Sequence, residues 1–198
     1  MTAVEPDRSM ASYLCDTAAS ANLDVVIATF EDADVAPGSF DLAVAATSFH
    51  WVDQEIGLTK LGWALRPGGW VALWWTLFRD PAQPDEFSQA LDHILGPVTR
   101  GAFDEPGRPP FQLDELHRRR DMTRWAGLVD VTSQVIPWTC EMTPVQARAL
   151  YASMATVIRL PPDDRRRILD GVERLATDVS EGIVRRRFVS ALYTGRRQ

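Results

Sequence analysis

The chain has 198 residues and a mass of 22.1 kDa, with 45% hydrophobic and 24% charged residues and a formal net charge of −6. That is enough chain to bury a core without staples, and the mixture excludes collagen-like, disulfide-scaffold and wholly disordered proteins. The acidic balance argues against nucleic acid as the main partner, although residues 1–99 hold 14 Asp/Glu and 4 Lys/Arg while residues 100–198 hold 13 and 17.

Taken in chain order, the pattern alternates helix-like and strand-like segments. Residues 7–18 predict a helix with Asp7 as its N-cap, and residues 23–28 (LDVVIA) a short buried strand. Pro37-Gly38-Ser39 is a turn signal before a second strand, Phe40–Ala46. Residues 53–65 predict a helix capped by Asp53, with Ile56, Leu58, Leu61 and Leu65 near a 3.6 period. A third strand, Trp70–Leu77, follows the turn Pro67-Gly68-Gly69. Residues 80–112 carry Pro81, Pro84, Pro97, Pro106, Pro109 and Pro110, a loop-rich stretch with one short helix near 85–95. Beyond it come a strand at 129–139 and two helices over 144–178, broken at Leu160-Pro161-Pro162. The last segment is read as helix turning into strand at 188–194. Strands alternating with helices predict βαβ units and a parallel sheet in an α/β fold.

Several chemistries are disfavoured. Cys15 and Cys140 lie far apart without a CxxC, so neither a disulfide framework nor structural zinc is expected. His93 and His117 share no ligand spacing with His50, so no metal site is expected, and no GxSxG occurs. The runs Arg118-Arg119-Arg120, Arg165-Arg166-Arg167 and Arg185-Arg186-Arg187 read as solvated helix faces. The start, MTAVEPDRS, lacks a basic segment followed by an apolar one, and no apolar run reaches a membrane span. A cytoplasmic protein without membrane or nucleic-acid partners is the expectation.

Four segments carry further information: Val4-Glu5-Pro6-Asp7, Thr29-Phe30-Glu31-Asp32, the run FDLAVAATSFHW over 40–51, and Leu65-Arg66-Pro67-Gly68-Gly69. Together they resemble the class I S-adenosylmethionine-dependent methyltransferases, in the type 11-like subgroup with an FHW motif after the fourth strand. The resemblance is strong over residues 4–80 and rests on element order beyond. It implies a Rossmann-like sheet with helices on both faces, a helical insertion near the C-terminus and S-adenosylmethionine as cofactor. The chain is then one domain, 1–80 being the cofactor half and 81–198 the substrate half, whose helices cover the substrate like a lid.

An acid at the carboxyl end of a strand can accept both hydroxyls of a ribose, and Glu5 stands there if residues 1–5 are a strand. The resemblance places Phe30 and Glu31 by the adenine, Phe30 offering its backbone N–H and ring. Glu31 reads equally as a helix-start or solvent carboxylate. Thr29 departs from a family position that often carries a carboxylate. Ala46 and Thr47, at the end of the FDLAVAA strand, would face the methionine half of the cofactor. His50 is the candidate for the chemistry, as a general base toward a hydroxyl or as a group that orients a neighbour. Trp51, Trp74 and Trp75 read as walls or core. The expected activity is methyl transfer to a small molecule. The alternative is a non-catalytic relative that binds or scaffolds, and a nicotinamide enzyme is disfavoured by FHW followed by LRPGG.

The family's glycine-rich loop, which precedes the ribose-binding acid by roughly 20 residues, has no counterpart in the 198 residues. The resembled sheet runs 3-2-1-4-5-7-6, so the chain would lack the central first strand and begin N-terminally truncated. Its neighbours would expose apolar faces and leave about five backbone hydrogen bonds unmade, at about 1 kcal/mol each. The gap could be filled by a longer gene product, by direct pairing of the flanking strands, or by a second copy or partner chain as an oligomer. Direct pairing is the expectation for the isolated chain.

Overall fold

Asp7 and Asp53 cap their helices as the sequence predicts. In the computed structural model, which describes residues 1–18, 22–99, 109–179 and 182–198, Asp7 Oδ1 accepts the N–H groups of Ser9 and Met10 at 2.8 and 2.9 Å, opening α1 (Arg8–Thr17). Asp53 Oδ1 accepts the Ile56 N–H at 2.9 Å, opening α2 (Gln54–Ala64). These bonds satisfy amides that a helix start otherwise leaves bare. Pro106 of the proline-rich stretch lies outside the described residues.

Before α2 come β1 (Thr2–Val4), β2 (Asp24–Val26) and β3 (Phe40–Ala46); after it comes β4 (Leu65–Leu77). β1 pairs parallel with β2, Thr2 opposite Asp24 and Val4 opposite Val26. β3 pairs parallel with β4, Ala43 opposite Val71 and Ala46 opposite Trp74. Strand β4 begins earlier than predicted because Leu65 already pairs with Phe40, and Arg66–Gly69 then bulge out before Leu42 meets Trp70. The bulge needs both glycines. Gly68 has φ +82, and a Cβ on Gly69 would lie 3.0 Å from Arg66 O and 3.1 Å from Phe40 O.

Later elements are α3 (Glu86–Thr99), α4 (Glu115–Ala126), β5 (Leu128–Met142), α5 (Pro144–Ala152), α6 (Ala155–Ile158), α7 (Pro162–Val179) and β6 (Val184–Arg197). The four-stranded sheet has the order β3-β4-β6-β5, and β1-β2 form a separate two-stranded sheet. This is an α/β fold whose strand order matches 3-2 and 4-5-7-6 of the resembled sheet. The direct pairing expected for the flanking strands is corrected here: β1 and β3 share no sheet. The loop after β2 is instead tied to the segment after β3 and to α2, contacts that hold the β1–β2 pair without a ladder between β1 and β3. The apolar β3 residues Leu42 and Val44 are 55% and 57% exposed.

The chain divides into two units, the division falling within β4, β5 and β6. Unit 1 comprises Met1–Trp75, Glu115–Gln134 and Leu192–Gln198. Its core alternates along β4 through Val71, Leu73 and Trp75, packed with Leu58 of α2 and Met122 of α4. Helices α2 and α4 approach so closely that a Cβ on Gly62 would lie 2.2 Å from Ala126 O. Unit 2 comprises Thr76–Asp114 and Val135–Ala191, with a core centred on Phe87, Leu91, Tyr151, Val172 and Phe188.

Three expectations change. Arg118–Arg120, read only as a solvated helix face, belong to a full helix α4 that was not predicted as an element, and the predicted helix pair over 144–178 contains a third short piece, α6. The final segment is strand throughout, because Val184, Arg186 and Phe188 point inward with period two. Arg186 hides that alternation in the sequence: it is 1% exposed, so the last arginine run is neither helical nor fully solvated. Arg118 on α4 is also largely covered, its side chain 13% exposed and paired with Asp121 at 3.0 Å. Arg166 and Arg167 on α7 do lie on an exposed helix face, beside Asp163 and Asp164. Among the described residues no helix is long and apolar enough to cross a membrane, and no cluster of three or more His, Cys, Asp or Glu could hold a metal.

Candidate functional site

Parallel pairing puts the carboxyl ends of β1 and β2 on one side, and open α/β sheets bind ligands there. Glu5 follows β1 directly. Its own N–H donates to Val26 O at 3.0 Å, extending the ladder, and its Oε1 accepts the Asp7 N–H at 2.9 Å. One carboxylate oxygen is thereby oriented by the turn that also starts α1.

The loop after β2 is built locally. Thr29 Oγ1 donates to Asp32 Oδ2 at 2.9 Å and accepts the Asp32 N–H at 3.2 Å. A carboxylate thus stands beside Thr29 although the sequence has none at that position. Phe30 packs against Phe49 with centroids 6.2 Å apart. Lys60 of α2 donates to the carbonyls of Glu31, at 3.0 Å, and Ala33, and its Nζ lies 5.5 Å from the Phe30 ring centroid. Glu31 Oε1 accepts the Asp53 N–H at 2.8 Å. Of the two readings for Glu31, the geometry displays a helix-start contact, at α2.

The loop after β3 is strained. Thr47 has φ +48, a left-handed backbone that β-branched residues rarely adopt. Its N–H donates to Trp74 O at 2.7 Å. Such strain persists only where the surroundings over-determine it, and it concentrates at ligand sites. Phe49-His50-Trp51 then form one turn of 3-10 helix, anchored by buried Phe49 and by the Gln54 amide, which donates to Phe49 O at 2.9 Å and Val52 O at 2.8 Å. A Cβ on Gly57 would strike Val52 and Phe49, so α2 seats this turn without slack. His50 is half-buried, and Trp75 Nε1–H donates to its Nδ1 at 3.1 Å. Burial pushes the imidazole below its ordinary value of 6.5.

The structure therefore brings Phe30 and Glu31 onto the segment that carries His50, just past Ala46 and Thr47. Glu5 is linked to this group through the β1–β2 pairing. Sequence reasoning missed Lys60, Asp32 and the role of Trp75. Only Lys60 carried a signal, as the one lysine among 21 basic residues.

Comparison with known proteins agrees with this architecture. Residues 1–73 match the family model described as a methyltransferase domain. An uncharacterized methyltransferase of Mycobacterium bovis is 27% identical over 176 residues, covering 88% of this chain and 63% of that protein. The methyltransferase AacuQ of Aspergillus aculeatus is 32% identical over 79 residues, 38% of this chain and 25% of that one. The chain thus spans 63% of the length of the mycobacterial relatives. Among solved structures, a proposed type II methyltransferase of Anaeromyxobacter dehalogenans has a TM-score of 0.56 at 21% identity, covering 98% of this chain and 79% of its own. A phosphoethanolamine N-methyltransferase of Haemonchus contortus in complex with S-adenosylmethionine has a TM-score of 0.54 at 10% identity, covering 99% and 43%. Over residues 1–73 the chain is thus similar to methyltransferase domains, and its fold is like that of the solved methyltransferase structures.

Proposed function

We propose that the protein transfers a methyl group from S-adenosylmethionine to a small molecule. The observation that supports this reading is that Glu5, the Phe30 loop and strained Thr47 follow the carboxyl ends of β1, β2 and β3, each of which pairs in parallel with a neighbour. The residues present fit the cofactor's chemistry. Glu5 offers a half-buried carboxylate to ribose hydroxyls, Phe30 a ring and N–H to adenine, and Glu31 helps fix that loop. Ala46 and Thr47 offer backbone to the methionine half.

The bound cofactor supplies an electrophilic methyl on a sulfonium. Glu5, the Phe30 loop and the Ala46–Thr47 backbone would hold that cofactor so that its methyl is presented to an acceptor. The chain's task is proximity and orientation. To His50, in the turn that follows Thr47, we assign the acceptor side of the methyl.

Incubation with methyl-tritiated S-adenosylmethionine and a panel of amine, thiol, carboxylate and hydroxyl acceptors tests the reading, with label expected in one class. Against that acceptor, His50→Ala is expected to slow transfer about 100-fold while leaving S-adenosylhomocysteine affinity unchanged. An unaltered rate would make His50 a packing residue. Absence of transfer across the panel, with the cofactor still bound, would favour the non-catalytic binding relative.

A further inference from the structure

A lone turn of 3-10 helix has poor hydrogen-bond geometry and little stability of its own. The turn Phe49–Trp51 also follows Thr47, whose left-handed backbone at φ +48 is costly. Side chains must therefore hold it. Gln54, the first residue of α2, spends both N–H bonds of its carboxamide on the turn, donating to Phe49 O at 2.9 Å and to Val52 O at 2.8 Å. The polar atom that remains, Oε1, can only accept. Arg118 of α4 supplies the donor, its Nη1 lying 3.4 Å from that oxygen. Turned end for end, the carboxamide would set its oxygen against two carbonyl oxygens and its N–H bonds against a guanidinium. Arg118 is held in turn, its Nη2 donating to Asp121 Oδ2 at 3.0 Å from a largely covered position.

We infer that Arg118 is a positioning residue: through the Gln54 carboxamide it holds the turn that carries His50 in place for methyl transfer. The contacts run from Asp121 through Arg118 and Gln54 to the Phe49 and Val52 carbonyls, joining α4 to α2 and to the loop after β3. The planar fork of arginine suits this place, because separate nitrogens serve the amide and the carboxylate. Without the guanidinium, Oε1 loses a charged donor, and the one amide orientation that serves both carbonyls is no longer favoured on both sides. Gln54, Arg118 and Asp121 also line a small cavity with Leu58 and Trp75, so methionine at position 118 has room without displacing α4.

The role in transfer rests on the methyl-transfer reading; control of the turn does not. Arg118 makes further contacts besides, and a double-mutant cycle isolates this one. The Trp51 and Val52 amides donate to Ser48 O and Phe49 O, so their hydrogen exchange, followed by proton–nitrogen NMR on the full chain, reads the order of the turn. Arg118→Met is expected to speed that exchange about tenfold and Gln54→Met about 30-fold. The two combined should exchange no faster than Gln54→Met alone. Arg118→Met/Asp121→Leu removes the ion pair as a unit and leaves no covered carboxylate unpaired. It keeps the test available if the single variant does not fold, and the same tenfold is expected. Exchange unchanged in Arg118→Met, an undiminished effect on the Gln54→Met background, or protection restored in Arg118→Met/Asp121→Leu overturns the inference. In transfer, Arg118→Met is expected to lower kcat about tenfold with S-adenosylhomocysteine affinity unchanged. A loosened turn with unaltered kcat overturns the role in transfer. Absence of transfer in the wild type would count against the methyl-transfer reading and leave the exchange result standing.

Discussion

Replacing Arg186 by methionine is expected to lower stability by about 3–5 kcal/mol, a large part of what a domain of this size possesses. The guanidinium is 1% exposed on β6 and is satisfied on every side. Its Nε donates to Asp85 Oδ2 at 3.4 Å, and one terminal nitrogen donates to the Tyr151 hydroxyl at 2.6 Å. The other donates to Phe78 O at 2.5 Å and Ser88 Oγ at 3.2 Å. Its flat face stacks 4.8 Å from the Phe87 centroid. Methionine fills much of the volume but leaves the covered Asp85 carboxylate without its counter-charge.

Burial alone would raise the Asp85 carboxyl. The Arg187 and Ser88 hydrogen bonds and the charge of Arg186 outweigh it and hold the group below its ordinary 3.8. A depressed carboxyl contributes stability above its unfolded value, and that contribution is lost as pH falls below 3.8 through the folded value. Urea unfolding followed by circular dichroism, near neutrality and near about pH 3, reads both effects. The wild type should weaken in acid, and Arg186→Met should start lower and lose less. A neutral-pH loss under about 1 kcal/mol would make the network incidental.

Glu5→Ala is expected to weaken S-adenosylhomocysteine binding about 100-fold. Two hydrogen bonds from ribose hydroxyls to a carboxylate, at about 1.5 kcal/mol each, amount to roughly 3 kcal/mol, or about two decades of affinity. Glu5 also accepts the Asp7 N–H at 2.9 Å, so alanine disturbs the start of α1. Glu5→Gln keeps an acceptor for that amide without the charge, and should lose about tenfold. Calorimetric titration of the three proteins separates the roles. Equal affinities would remove Glu5 from the ribose site.

Much of the fold was legible because local signals agreed. Asp7 and Asp53 are caps in both sequence and structure, Phe40–Ala46 is a strand to the residue, and Gly68 occupies the left-handed position its turn requires. What stayed hidden was non-local. Arg186 reads as surface because its partners lie 35 to 108 residues away. Helix α4 carries a polar, arginine-rich pattern that gives little apolar period, yet Met122 and Ala126 are buried. In the candidate site, the residues that follow strands were legible from motif and topology. The Trp75–His50 bond, spanning 25 positions, was not, nor was the clamp from Lys60 to the Glu31 and Ala33 carbonyls. The two-stranded and four-stranded sheets show the same limit. Composition and period define each strand, whereas the neighbour a strand accepts depends on contacts elsewhere, here those tying the loop after β2 to α2.

If the carboxyl ends of β1, β2 and β3 form a nucleoside site, calorimetric titration of S-adenosylhomocysteine into the full chain gives saturable heat at one site, with a dissociation constant below about 1 mM and weaker binding in Glu5→Ala. Heat no different from buffer at millimolar ligand would contradict it.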